Sequence, residues 1–469
     1  MNRLKQFQTV LCVGIGWAFL VTWADLFGHS PGFALPYLGL DALGNMRIYW
    51  LLGLLALALL MAAAPRWFER TKHSLFFCLP ILASFGTMAF AVACQQSFFP
   101  AEVLAIAGIM VAGAGYTWFT CVFCTLLAKT QCMSYAISSV IAGLALKTIL
   151  VQLCTGILNE SFQVGLAILL PLVICGLAFF GQKGPSTRRE SDETKLATNN
   201  TAGYRYLVPQ LVVAAIAVAT TRVITPLGFF GDPLNLYENA ISATLGTIGV
   251  DLVLVVLGYL TLVRRTNTHL NTRFMPAFLV IILTFFVSAF SPSYQGFLAA
   301  AAEIFITAAE ALSHALFWTI AITTIRHTKA SPFRVVGLST GFYDLLSIIW
   351  IAAFFSLGIV NNAIILLVAF LLVSLIIWLI DRGGHEDEIA PPGMQTDRRV
   401  EIAEKYGLSP REKEVFMMLA QGRSRAYISE DLILSEGTIK THISHIYTKL
   451  GVSNRQEMFD VLLEDDHKN

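Results

Sequence analysis

The stretch LSEGTIKTHISHIYTKL, from Leu434 to Leu450, reads as a short helix with two unlike faces. Ile439, Ile443, Ile446 and Leu450 recur at i, i+4, i+7 and i+11 and form one narrow apolar stripe, while Gly437, Thr441, Ser444, His445 and Thr448 point the other way. Ser435 stands where it can cap the free amides of the first turn, and Glu436 suits the positive end of the helix dipole. Such a helix packs by its back and presents a hydrogen-bonding front.

Working outward, further short helices flank it. Ser409, Pro410 and Glu412 make a capping box with proline at the first helical position, and Val415, Phe416, Leu419 and Ala420 supply the buried face of a helix ending at Gly422. Ser424 is placed to cap a second helix through Asp431, with Ile428 and Leu432 inward, and Leu434 and Ser435 form the turn into the opening stretch. Gly451 ends that stretch; Ser453 with Gln456 is expected to cap a fourth helix through Glu464. Four short helices with a tight turn between the second and third describe a helix-turn-helix module over residues 401–469. Residues 381–400, rich in Gly, Pro and charge, read as a flexible linker.

The segment LSPREKEVFMMLAQGRSRAYISEDLILSEGTIKTHISHIYTKLGVSNRQEMF, Leu408 to Phe459, resembles the DNA-binding domain of LuxR-type transcriptional regulators, the GerE domain, at positions spread over all four helices. The resemblance implies that the third helix enters the major groove of double-stranded DNA, with Lys440, Thr441 and Ser444 as base readers, and that two copies pair on a two-half-site operator. On the residues alone, Thr441 and Ser444 lie on the front, Lys440 lies on its flank, and His445 is a further exposed candidate. Thr438, Lys449, Arg423, Arg425 and Arg455 sit around the turn or the helix ends and suit phosphate contacts. His442 borders the apolar stripe and reads as a packing residue. Ala426 and Tyr427 depart from the charged or amide residues usual in the family's second helix. From Glu401 onward there are 12 acidic residues against 9 Lys and Arg, so non-specific DNA affinity should be weak and dependent on salt and pairing.

Everything before the linker is of another kind. The chain has 469 residues, 56% of them hydrophobic and only 13% charged, which marks a polytopic membrane protein. Apolar runs long enough to span a bilayer fall at about 7–27, 48–64, 75–95, 101–127, 133–158, 162–181, 206–226, 237–263, 274–291, 296–325, 333–358 and 361–380, twelve in all. Lys and Arg gather before span 1 and after the even-numbered spans, whereas the alternate loops hold only Arg47. Both termini are therefore expected on the cytoplasmic side of a bacterial plasma membrane. The polar linker at 182–205 divides the spans six and six, a layout that resembles the major facilitator architecture, with halves at about 1–181 and 206–380. The loop PRWFERTKHS between spans 2 and 3 lacks the Gly and Asp containing signature of those transporters.

Ionisable residues at membrane depth are costly and mark candidate sites. Glu303, Thr307, Glu310 and His314 lie on one face of span 10, with Trp318 near it; Asp344 is on span 11, Asp251 on span 8, and the cations Lys147 and Arg222 on spans 5 and 7. Two readings stand side by side: cross-bundle pairing of Lys147 or Arg222 with an acid, or a polar, aromatic-lined cavity, walled by Trp318, Trp350 and Trp118, that recognises a small molecule. Trp23, Trp50, Trp67 and Trp378 fall near span ends and read as interface anchors. The eight cysteines all precede residue 176, and the CxxC of Cys121 and Cys124 has no second pair, so neither a metal nor a cofactor is expected. No nucleophile-base constellation suggests an enzyme.

The expectation is an all-α chain, a membrane bundle followed by a small four-helix domain, acting as a one-component regulator. A small-molecule signal in the spans would control pairing of the tethered domains on DNA. The alternative is a secondary transporter with an appended regulatory domain.

Overall fold

A computed structural model describes residues 2–30, 33, 42–95, 101–130, 132–182, 207–224, 240–264, 266, 273–290, 297–328, 330–357, 371, 375, 398–420, 425, 428–429, 432, 434–454, 457–458 and 461. Every extended element among them is helical, and the chain divides into two compact units, Met1–Asp381 and Arg382–Asn469.

The first unit is a membrane-type helix bundle. Its helices are α1 (Asn2–His29), α2 (Ala42–Ala63), α3 (Pro65–Cys94), α4 (Ala101–Ala128), α5 (Met133–Ile157), α6 (Glu160–Gln182), α7 (Val208–Ile224), α8 (Ala240–Gly258), α9 (Met275–Phe290), α10 (Phe297–His327) and α11 (Pro332–Leu357). Among the described residues eight apolar stretches are long enough to cross a membrane, and three shorter ones, Arg47–Ala63, Val208–Thr221 and Met275–Ser288, stand where further spans were expected. Of the expected twelfth span at 361–380 only residues 371 and 375 are described, and of the linker expected at 182–205 only Gln182.

One expected loop is helical instead. PRWFERTKHS belongs to α3, which starts at Pro65 and is separated from α2 by Ala64 alone. Proline at the first helical position has its φ already set for a helix, so the chain re-enters one at once, and the polar turns of α3 run on past its apolar part.

In lipid the hydrophobic effect does not draw helices together, so close backbone packing must do so. A β-carbon on Gly53 of α2 would stand 2.1 Å from the carbonyl oxygen of Met110 in α4, so only glycine permits that crossing. Aromatic side chains fill the wider gaps. Trp23 and Trp50 pack edge to face with ring centroids 5.9 Å apart, both wholly buried, and Trp23 donates to Thr87 Oγ1 at 3.2 Å. The expectation that these two tryptophans anchor at the interface is therefore corrected. Each lies on the stripe of its helix that faces the other helices, and that placement outweighs nearness to a span end. Trp67 is exposed, and Trp378 lies outside the described residues. The halves meet chiefly through α2 against α11 and α5 against α8 and α10.

The second unit has its own core. A short helix that the sequence reading missed, α12 (Arg398–Lys405), starts inside the expected linker and buries Ile402 and Ala403. Then come α13 (Pro410–Ala420) and α14 (Glu436–Leu450). Val415, Phe416 and Leu419 meet Ile439, Ile443, Ile446 and Leu450 in one cluster, closed by Ile428 and Met458. Burial of about eleven such side chains, each contributing roughly 1.5–3 kcal/mol before chain entropy is set against it, accounts for a domain with a core of its own.

Candidate functional site

The opening stretch forms the capped helix expected of it. Ser435, in extended backbone, accepts from the Thr438 amide at 3.1 Å. At the far end Gly451 adopts φ +69°, which a side chain would strain, and its amide donates to Thr448 O at 3.3 Å while Val452 donates to Tyr447 O at 3.0 Å. Between these caps the four apolar residues of the stripe are buried, and Thr438, Lys440, Thr441, Ser444 and His445 are exposed. Thr441 Oγ1 donates to Gly437 O at 3.1 Å, which leaves its lone pairs and methyl group to face outward.

Behind this front, Glu412 joins three elements. Its carboxylate accepts from the Ser409 amide at 2.8 Å and from Lys449 Nζ at 2.6 Å, and its own amide donates to Ser409 Oγ at 3.4 Å, completing the capping box. Lys449 Nζ also donates to Gly407 O at 3.0 Å, at the cap of α12. His445 Nδ1 lies 3.8 Å from the same carboxylate. The Lys449 ammonium and the Ser409 amide hold Glu412 down to about 2. Arg411, matched in the family motif but given no role above, donates through Nη2 to Leu432 O at 3.1 Å and so braces the turn. The turn itself closes through Leu434 N to Ser429 O at 3.0 Å. The fourth helix is capped one residue later than expected: Asn454 Oδ1 accepts from the Glu457 amide at 3.0 Å, and Glu457 accepts from the Ser453 amide at 2.7 Å. Glu457 carries the charge that suits the helix N-terminus. Arg425 is exposed; Arg423 and Arg455 lie outside the described residues.

In the bundle, Lys147 of α5 forms an ion pair of 2.8 Å with Asp25 of α1. The carboxylates of Asp251 and Glu310 also act electrostatically on Lys147. Thr148 donates to Asp251 Oδ1 at 2.6 Å, which links α5 of the first half to α8 of the second. Lys147 is thus the shared partner of Asp251, Glu310 and Asp25, the last an acid that the sequence reading passed over as a site residue. Asp25 was legible as a lone carboxylate inside an otherwise apolar span. Elsewhere, Asp344 is wholly buried, His314 Nδ1 donates to Glu310 O at 3.2 Å and its ring meets that of Tyr343 edge-on, and Trp318 packs 5.7 Å from Trp17. Glu303 is half-buried, and one of its carboxylate oxygens has no hydrogen bond. The side chain of Arg222 lies outside the described residues. Among those described, no group of three or more His, Cys, Asp or Glu is arranged to hold a metal ion.

A membrane-type bundle and a separately cored helix-turn-helix unit on one chain define a two-part protein. The bundle has a major-facilitator-like fold: it is similar to a bacterial homologue of the iron transporter ferroportin in its outward-facing state, with TM-score 0.56, 14% identity, and coverage of 81% of this chain and 99% of that one. It is also similar to the major facilitator transporter FucP in the outward conformation, with TM-score 0.51, 14% identity, and coverage of 80% and 98%. Residues 406–462 match GerE, the bacterial regulatory proteins of the luxR family. Similar chains include the probable HTH-type transcriptional regulator GfsR of Streptomyces halstedii, 38% identical over 65 residues, which are 14% of this chain and 27% of that protein. The HTH-type transcriptional regulator MalT of Yersinia pestis (strain Pestoides F) is 39% identical over 75 residues, 16% of this chain and 8% of that protein. The chain thus spans little of its relatives beyond this domain.

Proposed function

We propose that the chain is a membrane-bound one-component transcriptional regulator, with sequence-specific DNA binding by residues 401–469 controlled by a small molecule sensed in residues 1–380. The observation that carries this reading is the α14 front: exposed Lys440, Thr441, Ser444 and His445 on a doubly capped helix whose back is sealed into a core. That arrangement suits a helix laid in the major groove, Lys440, Thr441 and Ser444 reading base edges and Thr438, Arg423, Arg425 and Arg455 contacting phosphates. Lys449, engaged with Glu412, serves as a positioning residue first and a phosphate contact second. Both termini lie in the cytoplasm, and two copies pair on a two-half-site operator. The ligand acts through the polar residues of the bundle, Lys147, Asp251, Glu310, Glu303, His314, Asp344, Trp318 and Arg222, by changing how the halves meet. A fragment from residue 396 onward should protect a specific site upstream of its own gene in a footprinting assay. Uniform protection of unrelated DNA at low salt, even after artificial dimerisation of a folded fragment, would count decisively against it.

The transporter-like fold of the bundle favours one second reading, a secondary transporter with an appended regulatory domain. Vesicle uptake of a labelled ligand, lost on Glu310→Gln, would favour it over sensing alone.

A further inference from the structure

Where α1, α3 and α11 begin and α4 and α6 end, the bundle holds a cavity of about 580 Å³. That size fits a small organic molecule. None of the eight bundle residues to which ligand sensing is ascribed above lines it. Its floor is aromatic: the rings of Trp118 and Phe333 lie nearly parallel with centroids 6.0 Å apart, and both side chains are buried. The indole N–H of Trp118 is buried and makes no hydrogen bond. Among the described residues its rim carries the exposed side chains of Glu69, Lys72, His73 and Lys129. Phe77 and Phe179, with centroids 6.4 Å apart, both exposed, form an apolar edge. Pro332 and Phe333 come from α11 in the second half, the other lining residues from the first, so an occupant would touch both halves.

We propose that this cavity binds an amphipathic anion, its acidic head held by Lys72 and Lys129 and its apolar body laid over Trp118 and Phe333. Among the described lining residues two ammonium groups stand beside one carboxylate, and long-stemmed lysines at the polar boundary of a membrane bundle favour an acidic head over a neutral one. The aromatic floor rewards an apolar body that inorganic anions lack. Such a molecule reaches the cavity either from water, as a free amphiphilic acid, or from the membrane, as an anionic lipid. The proposal stands whether the bundle senses or transports, and whether or not the second unit binds DNA.

The test is native mass spectrometry of the full chain in neutral detergent, titrated with oleate, with dioleoylphosphatidylglycerol and with inorganic phosphate. Saturable binding of at least one amphiphile is expected, weakened tenfold or more in Lys72→Gln/Lys129→Gln and unchanged or tightened in Glu69→Gln. All three side chains are exposed, so the variants should elute with the wild type on size exclusion. Oleate binding alone identifies the free acid as the source, phosphatidylglycerol binding alone the lipid, and binding of both the shared chemistry. Equal affinity in the wild type and the double-lysine variant overturns the proposal. So does failure of both amphiphiles to bind, phosphate binding as tight as oleate binding, or a loss confined to Glu69→Gln.

Discussion

Lys449 Nζ lies 2.6 Å from the carboxylate of Glu412, a contact across 37 residues that fastens the end of α14 to the start of α13. The same carboxylate closes the capping box of α13, so one buried acid ties the first and third helices of the module together.

Glu412 is held to about 2 against an ordinary 4.5. Between those values the unfolded chain binds the proton and the folded one does not, so the stabilisation is fully present above about pH 4.5 and lost as pH falls toward 2. With Lys449 partly in solvent, the contribution is about 1–2 kcal/mol. Denaturant melts of the 396–469 fragment should decline over that window, and Glu412→Gln should lower neutral-pH stability and flatten the decline.

The two caps of α14 should separate cleanly in the same melts. Ser435→Ala removes the acceptor for the Thr438 amide and should cost about 1 kcal/mol. Gly451→Ala forces a β-carbon into φ +69° and should cost roughly 1–2 kcal/mol. An unchanged midpoint for both would mean that α14 is held by its core alone.

On DNA the front residues should behave differently from one another. Thr441→Ala is expected to relax base preference at one operator position by about 1–3 kcal/mol. Lys440→Ala should weaken binding and, where Lys440 touches phosphate, lower the salt slope by about one unit. Competition binding at several salt concentrations checks both, and Ile439, wholly buried, supplies the contrast: Ile439→Ala should unfold the fragment rather than change its preference.

In the bundle, Lys147→Met removes the ion-pair partner of Asp25, whose carboxylate is only 7% exposed. Losing one partner of such a pair costs about 3–5 kcal/mol, whereas removing both can be nearly neutral. Thermal melts in detergent should therefore show Lys147→Met and Asp25→Asn each markedly destabilised and the double variant recovering much of the loss. Additive losses would mean that the 2.8 Å pair contributes little.

Read from sequence, the helical framework and the opposed faces of Leu434–Leu450 were legible because they depend on periodicity and on caps a few residues away. The capping box at Ser409 and Glu412 and the stop at Gly451 belong to the same local physics, and so do the long apolar runs. The short helix Arg398–Lys405 escaped because two buried residues, Ile402 and Ala403, make too brief a pattern beside a charged linker.

Other features depended on which helix lies beside which. Trp23 and Trp50 are core residues because α1 and α2 both pack on α4 and their rings meet there, and Lys147 meets Asp25 because α5 packs along α1. Lys449 resembles a phosphate contact in sequence, yet its ammonium is directed by Glu412 and by the carbonyl of Gly407, residues brought close only when three helices assemble. The front of the opening helix was therefore set by its own spacing. Long-range partners determined which of its charges remain available, because a charge in a folded chain is satisfied by the nearest polar group in space, and sequence distance does not predict which group that is.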